Sequence, residues 1–172
     1  MPRSDDRVYV GIDPGWGGAI AVISRGGVDL VPITEDEGLL FERINIFDEI
    51  RDALKAHFVL EKVGGFIGTR PGGGAHRNLA SGHTMFKFGW CYGAIRMALA
   101  ASNMLERTTH VTPQVWQKAI GVACKTKGES QNSFKNRLKD RAIELFPNVK
   151  VTLKNADALL LAHYCKMLHE EL

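Results

Sequence analysis

Three acidic residues stand out by their surroundings. Asp13 closes the apolar run Val8–Ile12, Glu61 lies within the apolar run Phe58–Val63, and Asp157 opens Asp-Ala-Leu-Leu-Leu-Ala. Charged residues set in apolar runs are the informative exceptions to ordinary burial. Three carboxylates drawn from separate elements can converge to hold hard divalent cations through oxygen ligands. Two such ions about 4 Å apart stabilise the attacking and leaving oxygens of phosphodiester hydrolysis. Each acid also has a plain structural reading. Asp13 can be a turn residue before Pro14, Glu61 the polar side of an edge strand, and Asp157 a helix-start residue favoured by the dipole. All three plain readings holding together is the weaker explanation.

The elements that must position these acids follow from periodicity and turn signals. Val8–Ile12 ends at Asp13-Pro14-Gly15 and predicts a strand and turn. Ala19–Ser24 and Val28–Ile33, joined by a Gly26-Gly27 turn, predict a hairpin, and Pro32 marks its second strand as an edge or an exit. Apolar residues at 40, 41, 44, 47, 50 and 54 predict a helix over 39–56. Phe58–Val63 reads as a fourth strand. Residues 64–81, with six glycines, read as a long loop of the kind that is functional or disordered. A helix over 83–103 is apolar on more than one side, which predicts burial or an interface. Its Phe86, Phe88, Trp90 and Met97 read as core or dimer contacts rather than a base platform. His110-Val111 reads as a short strand, and Pro113 opens a helix bearing Trp116 and Lys118. Residues 123–132 read as polar and mobile, Ser133–Phe146 as a basic helix, and Asn155–Leu168 as the last helix. The sum is α/β: a mixed five-stranded sheet flanked by helices.

Charge is unevenly spread. Residues 29–52 carry eight acids against two arginines, whereas residues 117–154 carry nine Lys/Arg against three acids. A basic C-terminal half points to one face that meets a polyanion, or to a solvated helix face. The chain has 172 residues, 45% hydrophobic and 24% charged, which excludes a disordered chain and predicts a single domain over 1–172. No apolar run approaches the roughly 20 residues of a membrane span. Cys91, Cys124 and Cys165 show no CxxC spacing, so neither a disulfide framework nor a zinc site is expected, and a reducing compartment fits. The polar start Met1–Arg7 lacks the apolar core of a signal peptide, and a cytoplasmic location is expected, that of a host cell if the source is a phage.

Five ordered motifs resemble one known family. Gly11-Ile12-Asp13-Pro14-Gly15, followed by Gly18-Ala19-Ile20-Ala21, resembles the opening of RuvC-type Holliday junction resolvases. Leu60-Glu61-Lys62-Val63 is similar to that family's second acidic strand, and Met85-Phe86-Lys87-Phe88-Gly89 to the start of its interface helix. Thr112–Lys118 and Leu145-Phe146-Pro147 are similar to later segments, and Ala156–Ala162 to the last acidic motif. The spacing is closest to phage-type members. The resemblance implies an RNase H-like fold, a homodimer and Mg²⁺-dependent nicking of four-way DNA junctions, with Mn²⁺ as a substitute. Neither a membrane nor a small-molecule substrate is expected. Asp13, Glu61 and Asp157 fall on three of the family's four metal positions, and the fourth is occupied here by Lys154.

The same resemblance suggests further roles. Lys118 matches a segment with basic residues near the catalytic centre, where a lysine stabilises transition-state charge. Lys125, Lys127, Lys135, Arg137, Lys139 and Arg141 would contact phosphates, which positions DNA without reading sequence. Phe66 falls where the family tends to place an aromatic wedge, and it can equally pack under the loop. Arg70, His76 and Arg77, on a loop longer than the family's, would reach the junction centre as a flexible arm. Other readings are an RNase H-like nuclease acting on another branched DNA or RNA structure, and a junction-binding protein with impaired catalysis. A fragment of an actin-like kinase or ATPase is disfavoured, because two large lobes do not fit 172 residues.

Overall fold

β-branched runs at the start of the chain build three of the five strands. The computed structural model describes residues 7–49, 55–62 and 82–170. Strands β1 (Arg7–Ile12), β2 (Ala19–Ser24) and β3 (Gly27–Pro32) form an antiparallel meander. The β2–β3 turn is centred on Arg25-Gly26, one residue earlier than the glycine pair suggests, because Ser24 pairs with Gly27. β3 is an edge strand, as Pro32 requires. Helix α1 (Glu37–Glu49) is capped by Asp36, whose Oδ1 accepts from the Leu39 amide at 2.9 Å.

β4 (Lys55–Glu61) runs parallel to β1, and β5 (Thr108–Val111) parallel to β4, giving the order β3-β2-β1-β4-β5. Lys55 and Ala56, expected at the end of a helix, instead begin β4. Pairing with Arg7 and Val8 overrides the helical period there. Between β4 and β5 lies helix α2 (Gly82–Ala101), and after β5 come α3 (Pro113–Ala119), α4 (Gln131–Leu145) and α5 (Ala156–Glu170). The expected mixed five-stranded α/β sheet is present. No helix among the described residues is long and apolar enough to cross a membrane.

Strand alternation divides the interior into two cores. Val8, Val10, Ile12, Phe58 and Leu60 face α1 and α2, packing with Leu40, Ile44, Ile95 and Leu99. Tyr9, Val59 and Val111 face the other way, toward Trp116 of α3, Phe134 and Leu138 of α4, and the Ala158–Ala162 run of α5. The Ser130 hydroxyl caps α4 by accepting from the Ser133 amide at 3.1 Å.

α5 lies unusually near the sheet at Gly11. A Cβ at that position would overlap the α5 backbone at Ala158, Leu161 and Ala162. Gly11 and the small Ala158 and Ala162 therefore set the spacing between β1 and α5. Gly11→Ala should cost about 3 kcal/mol, the upper range for overpacking against backbone that cannot yield. Urea unfolding would register the loss, and an unchanged midpoint would contradict this spacing role.

Candidate active site

The β1/β4 register places two of the acids. Ile12 pairs with Leu60, so Asp13 and Glu61 leave adjacent parallel strands at the same level, with the strands roughly 4.8 Å apart. Asp13 is two residues beyond Gly11, and Glu61 two beyond Val59. Strand alternation thus directs both toward the face that α5 covers. Asp157 lies in the first turn of α5, next to Ala158 at the Gly11 contact. Each acid comes from a different element, and all three are partly buried.

A tight turn fixes the backbone of Asp13. Its amide donates to the Ala19 carbonyl at 3.1 Å, and the Gly18 amide to the Gly15 carbonyl at 2.9 Å. Gly15 takes φ +146°, open to glycine, and a Cβ on Gly18 would overlap the Asp13 carbonyl oxygen. Gly15 and Gly18 are therefore geometric requirements of the turn that follows Asp13.

Electrostatics tie the acids together. Burial raises the Asp13 carboxyl well above the ordinary range, and the charges of Asp157 and Glu61 raise it further. Burial and Asp157 push Glu61 up to about 7. Burial also raises Asp157, despite its position in the first turn of a helix. The cation that opposes all three shifts is Lys135, half-buried on α4. The Trp116 indole is near enough to Glu61 to favour its charged form, yet its buried Nε1 has no partner in hydrogen-bond geometry.

This donor set suits a hard divalent cation: three carboxylates, with neither thiolate nor imidazole among them. Among the described residues, no three acidic, histidine or cysteine side chains lie close enough to grip one ion as placed. A bound cation would lower all three pKa values and relieve the cost of burying like charges.

The other basic residues expected at the site divide by their partners. Lys118 is exposed on α3, and Lys125 donates to Gln131 at 3.1 Å. Arg137 is engaged internally, with two bonds to Glu129 at 2.8 and 2.9 Å, a third to the Ala123 carbonyl, and its guanidinium over Phe134. Arg141 donates to the Ile120 carbonyl and to Glu144. These two arginines and Glu129 tie the stretch before α4, read as mobile from sequence, to the helix. Lys127 is exposed and Lys139 half-buried. Phe66, Arg70, His76 and Arg77 lie outside the described residues, as does the loop that carries them. Lys135 was legible only as one of several basic residues. Its closeness to the buried 134, 138 and 142 stripe of α4 was the signal that it points inward.

No protein-family model matches the chain, and no curated protein matches it in sequence. Among solved structures, the chain is similar to T. thermophilus RuvC in complex with Holliday junction substrate. The TM-score is 0.56 at 14% identity, over 95% of this chain and 96% of that one. The fold is RNase H-like. At this identity the likeness speaks for architecture alone.

A pH test isolates the acid cluster. The folded-state pKa of Glu61 lies near 7 against an ordinary 4.5. In that window the folded chain binds more protons than the unfolded one, so stability falls as pH rises. His110, His163 and His169, whose pKa values burial lowers, act in the opposite sense. The informative quantity is therefore the difference between Glu61→Gln and wild type in EDTA. The variant should gain on the order of 2 kcal/mol over wild type from pH 5 to pH 7.5. A difference that stays flat across that range would show that Glu61 is not held in a charge-disfavouring site.

Proposed function

We propose that this chain is a structure-specific endonuclease that resolves four-way DNA junctions by metal-dependent phosphodiester hydrolysis, acting as a homodimer. The observation that carries the reading is the convergence of Asp13, Glu61 and Asp157 on one face of an RNase H-like sheet, each with its charged form disfavoured. Asp13, Glu61 and Asp157 would hold Mg²⁺, with Mn²⁺ as a substitute. Ions bound there supply charge stabilisation to the attacking and leaving oxygens of the phosphodiester. The chain's own groups do the rest. The Gly15–Gly18 turn holds Asp13 rigid, Trp116 leans its N–H toward Glu61, and Lys135 offsets the anionic cluster and is suited to meet a phosphate. The basic residues of 117–154 supply non-sequence-reading attraction for the DNA backbone. The junction substrate of the T. thermophilus RuvC complex supports the choice of branched DNA.

The homodimer reading rests on α2. Cys91, Ile95, Ala98 and Leu99 face the core, while Phe86 and Met97 are each 68% exposed and Trp90 48% exposed. With Phe41 of α1, Trp90 and Met97 line an apolar groove of about 500 Å³. Phe88, grouped with them in the sequence, is half-buried beside Gly15 and braces the Asp13 turn. Apolar exposure of this kind marks an interaction surface. A two-fold dimer also matches a substrate with near two-fold symmetry. Lys154 favours a second reading. At the place where the resembled family has a fourth acid stands an exposed lysine, as expected of a junction binder with impaired catalysis.

Two outcomes test these readings. Asp13→Asn removes charge with little change of shape, so it should bind a synthetic four-way junction like wild type and lose nicking by at least a hundredfold. Wild-type cleavage by this variant would refute the assignment, and a wild type that binds without cutting would select the second reading. Light scattering at micromolar concentration should give twice the 19.0 kDa chain mass, and Met97→Glu should give the single-chain mass with the fold retained. A wild type that is monomeric both free and on DNA would remove the dimer from the account.

A further inference from the structure

A second concavity, of about 460 Å³, lies between the turn after β1 and the segment that leads into α5. One side is lined by Trp16, Gly17 and Gly18, which begin three residues after Asp13. It is also lined by Thr152, Lys154 and Asn155, which lead into Asp157, and by the apolar Leu30, Val31 and Ile33 at the edge strand β3. The cavity is thus flanked by the chain segments that carry two of the three acids.

Its lining has the chemistry of a nucleotide site. The Trp16 ring is braced edge-on by Trp90, with centroids 6.2 Å apart and planes at 89°, so it is held ready to receive a flat partner. Thr152 and Asn155 are fixed by the Asn155 Oδ1 bond to the Thr152 amide at 2.7 Å and by the Thr152 Oγ1 bond to the Lys154 amide at 3.3 Å. That turn presents the Lys154 ammonium at the rim, exposed and with no acidic partner among the described residues. An aromatic face, an apolar lining and a cation at the rim match a base, its sugar and the phosphate beside it.

We propose that this pocket receives the nucleotide adjoining the scissile phosphate, with its base against Trp16 and its phosphate at Lys154, and so sets the base preference at the cut. The assignment rests on the junction-nuclease reading above. A strand whose phosphate reaches Asp13 and Asp157 passes between Trp16 and Asn155, which puts its neighbouring nucleotide at the pocket mouth. Lys154 contributes backbone contact without base selectivity, and Trp16 with the pocket shape contributes the selectivity.

The test uses four-way junctions varied at the bases around the crossover, together with 2-aminopurine at the same positions. Wild type should cut with a base preference, and 2-aminopurine should be quenched by the Asp13→Asn protein at one position beside the cut. Trp16→Ala should reduce the preference about tenfold, on the order of 1.4 kcal/mol, and abolish the quenching when combined with Asp13→Asn. Trp16→Phe should keep both. Lys154→Gln should weaken binding for all bases alike. If Trp16→Ala does not fold, Gly17→Leu replaces it: a side chain at Gly17 meets nothing within 4 Å and projects at the pocket rim. That variant should also remove preference and quenching. A wild type that neither binds nor cuts junctions overturns the junction-nuclease reading, and this assignment falls with it. A wild type that cuts every base alike, or variants that keep preference and quenching, overturn the pocket assignment alone.

Discussion

Holding three carboxylates of like charge near one another and partly out of water is the constraint on which the architecture turns. Their repulsion and desolvation work against folding, so covalent and packing forces must hold them in place. The parallel β1/β4 register puts Asp13 beside Glu61. The small-residue contact of Gly11 with Ala158 and Ala162 draws α5 against the sheet and sets Asp157 alongside. The Gly15–Gly18 turn, braced by Phe88, prevents Asp13 from swinging into solvent. Among the described residues, Lys135 is the cation whose charge opposes all three acids. A bound cation would relieve the cost of holding these like charges together.

The two cores divide the labour. The α5 side is built from small and aliphatic residues that permit close approach, and it carries the acids. The α1/α2 side supports the sheet from behind and leaves Phe86, Trp90 and Met97 exposed. Trp90 belongs to both regions. It lines the exposed groove, donates to Glu37, and meets Trp16 next to Asp13. A surface suited to association is thereby joined, through two indoles, to the turn that carries a site acid.

Much of this was legible in the sequence, for identifiable reasons. β2 was read with its observed limits because Ala19–Ser24 is continuous, apolar and bounded by glycines and Arg25. Pro32 announced an edge, and the three acids set in or beside apolar runs are the ones that the fold brings near one another. The helix over 39–56 overran because Ile50 and Leu54 continue the helical period. The residues that decide the boundary are Arg7 and Val8, nearly fifty positions away, and a local pattern does not contain them. Lys135 was hidden for a similar reason. Six basic residues between 125 and 141 look alike in sequence, and only packing shows that Arg137 and Arg141 hold the fold together while Lys135 faces the acids. Of the four residues read as core or dimer contacts, Phe86, Trp90 and Met97 are exposed on α2. Composition alone did not separate Phe88, which packs inward, from Phe86 and Trp90.

We propose that the acid cluster makes this chain a metal-dependent nuclease for branched DNA. Incubation of the wild-type protein with a synthetic four-way junction, alongside duplex and flap controls, in Mg²⁺ and in EDTA, tests it most directly. The account predicts paired nicks near the crossover of the junction in Mg²⁺, none in EDTA, and little cutting of either control. Equal cleavage of plain duplex, or cleavage that persists in EDTA, would contradict it.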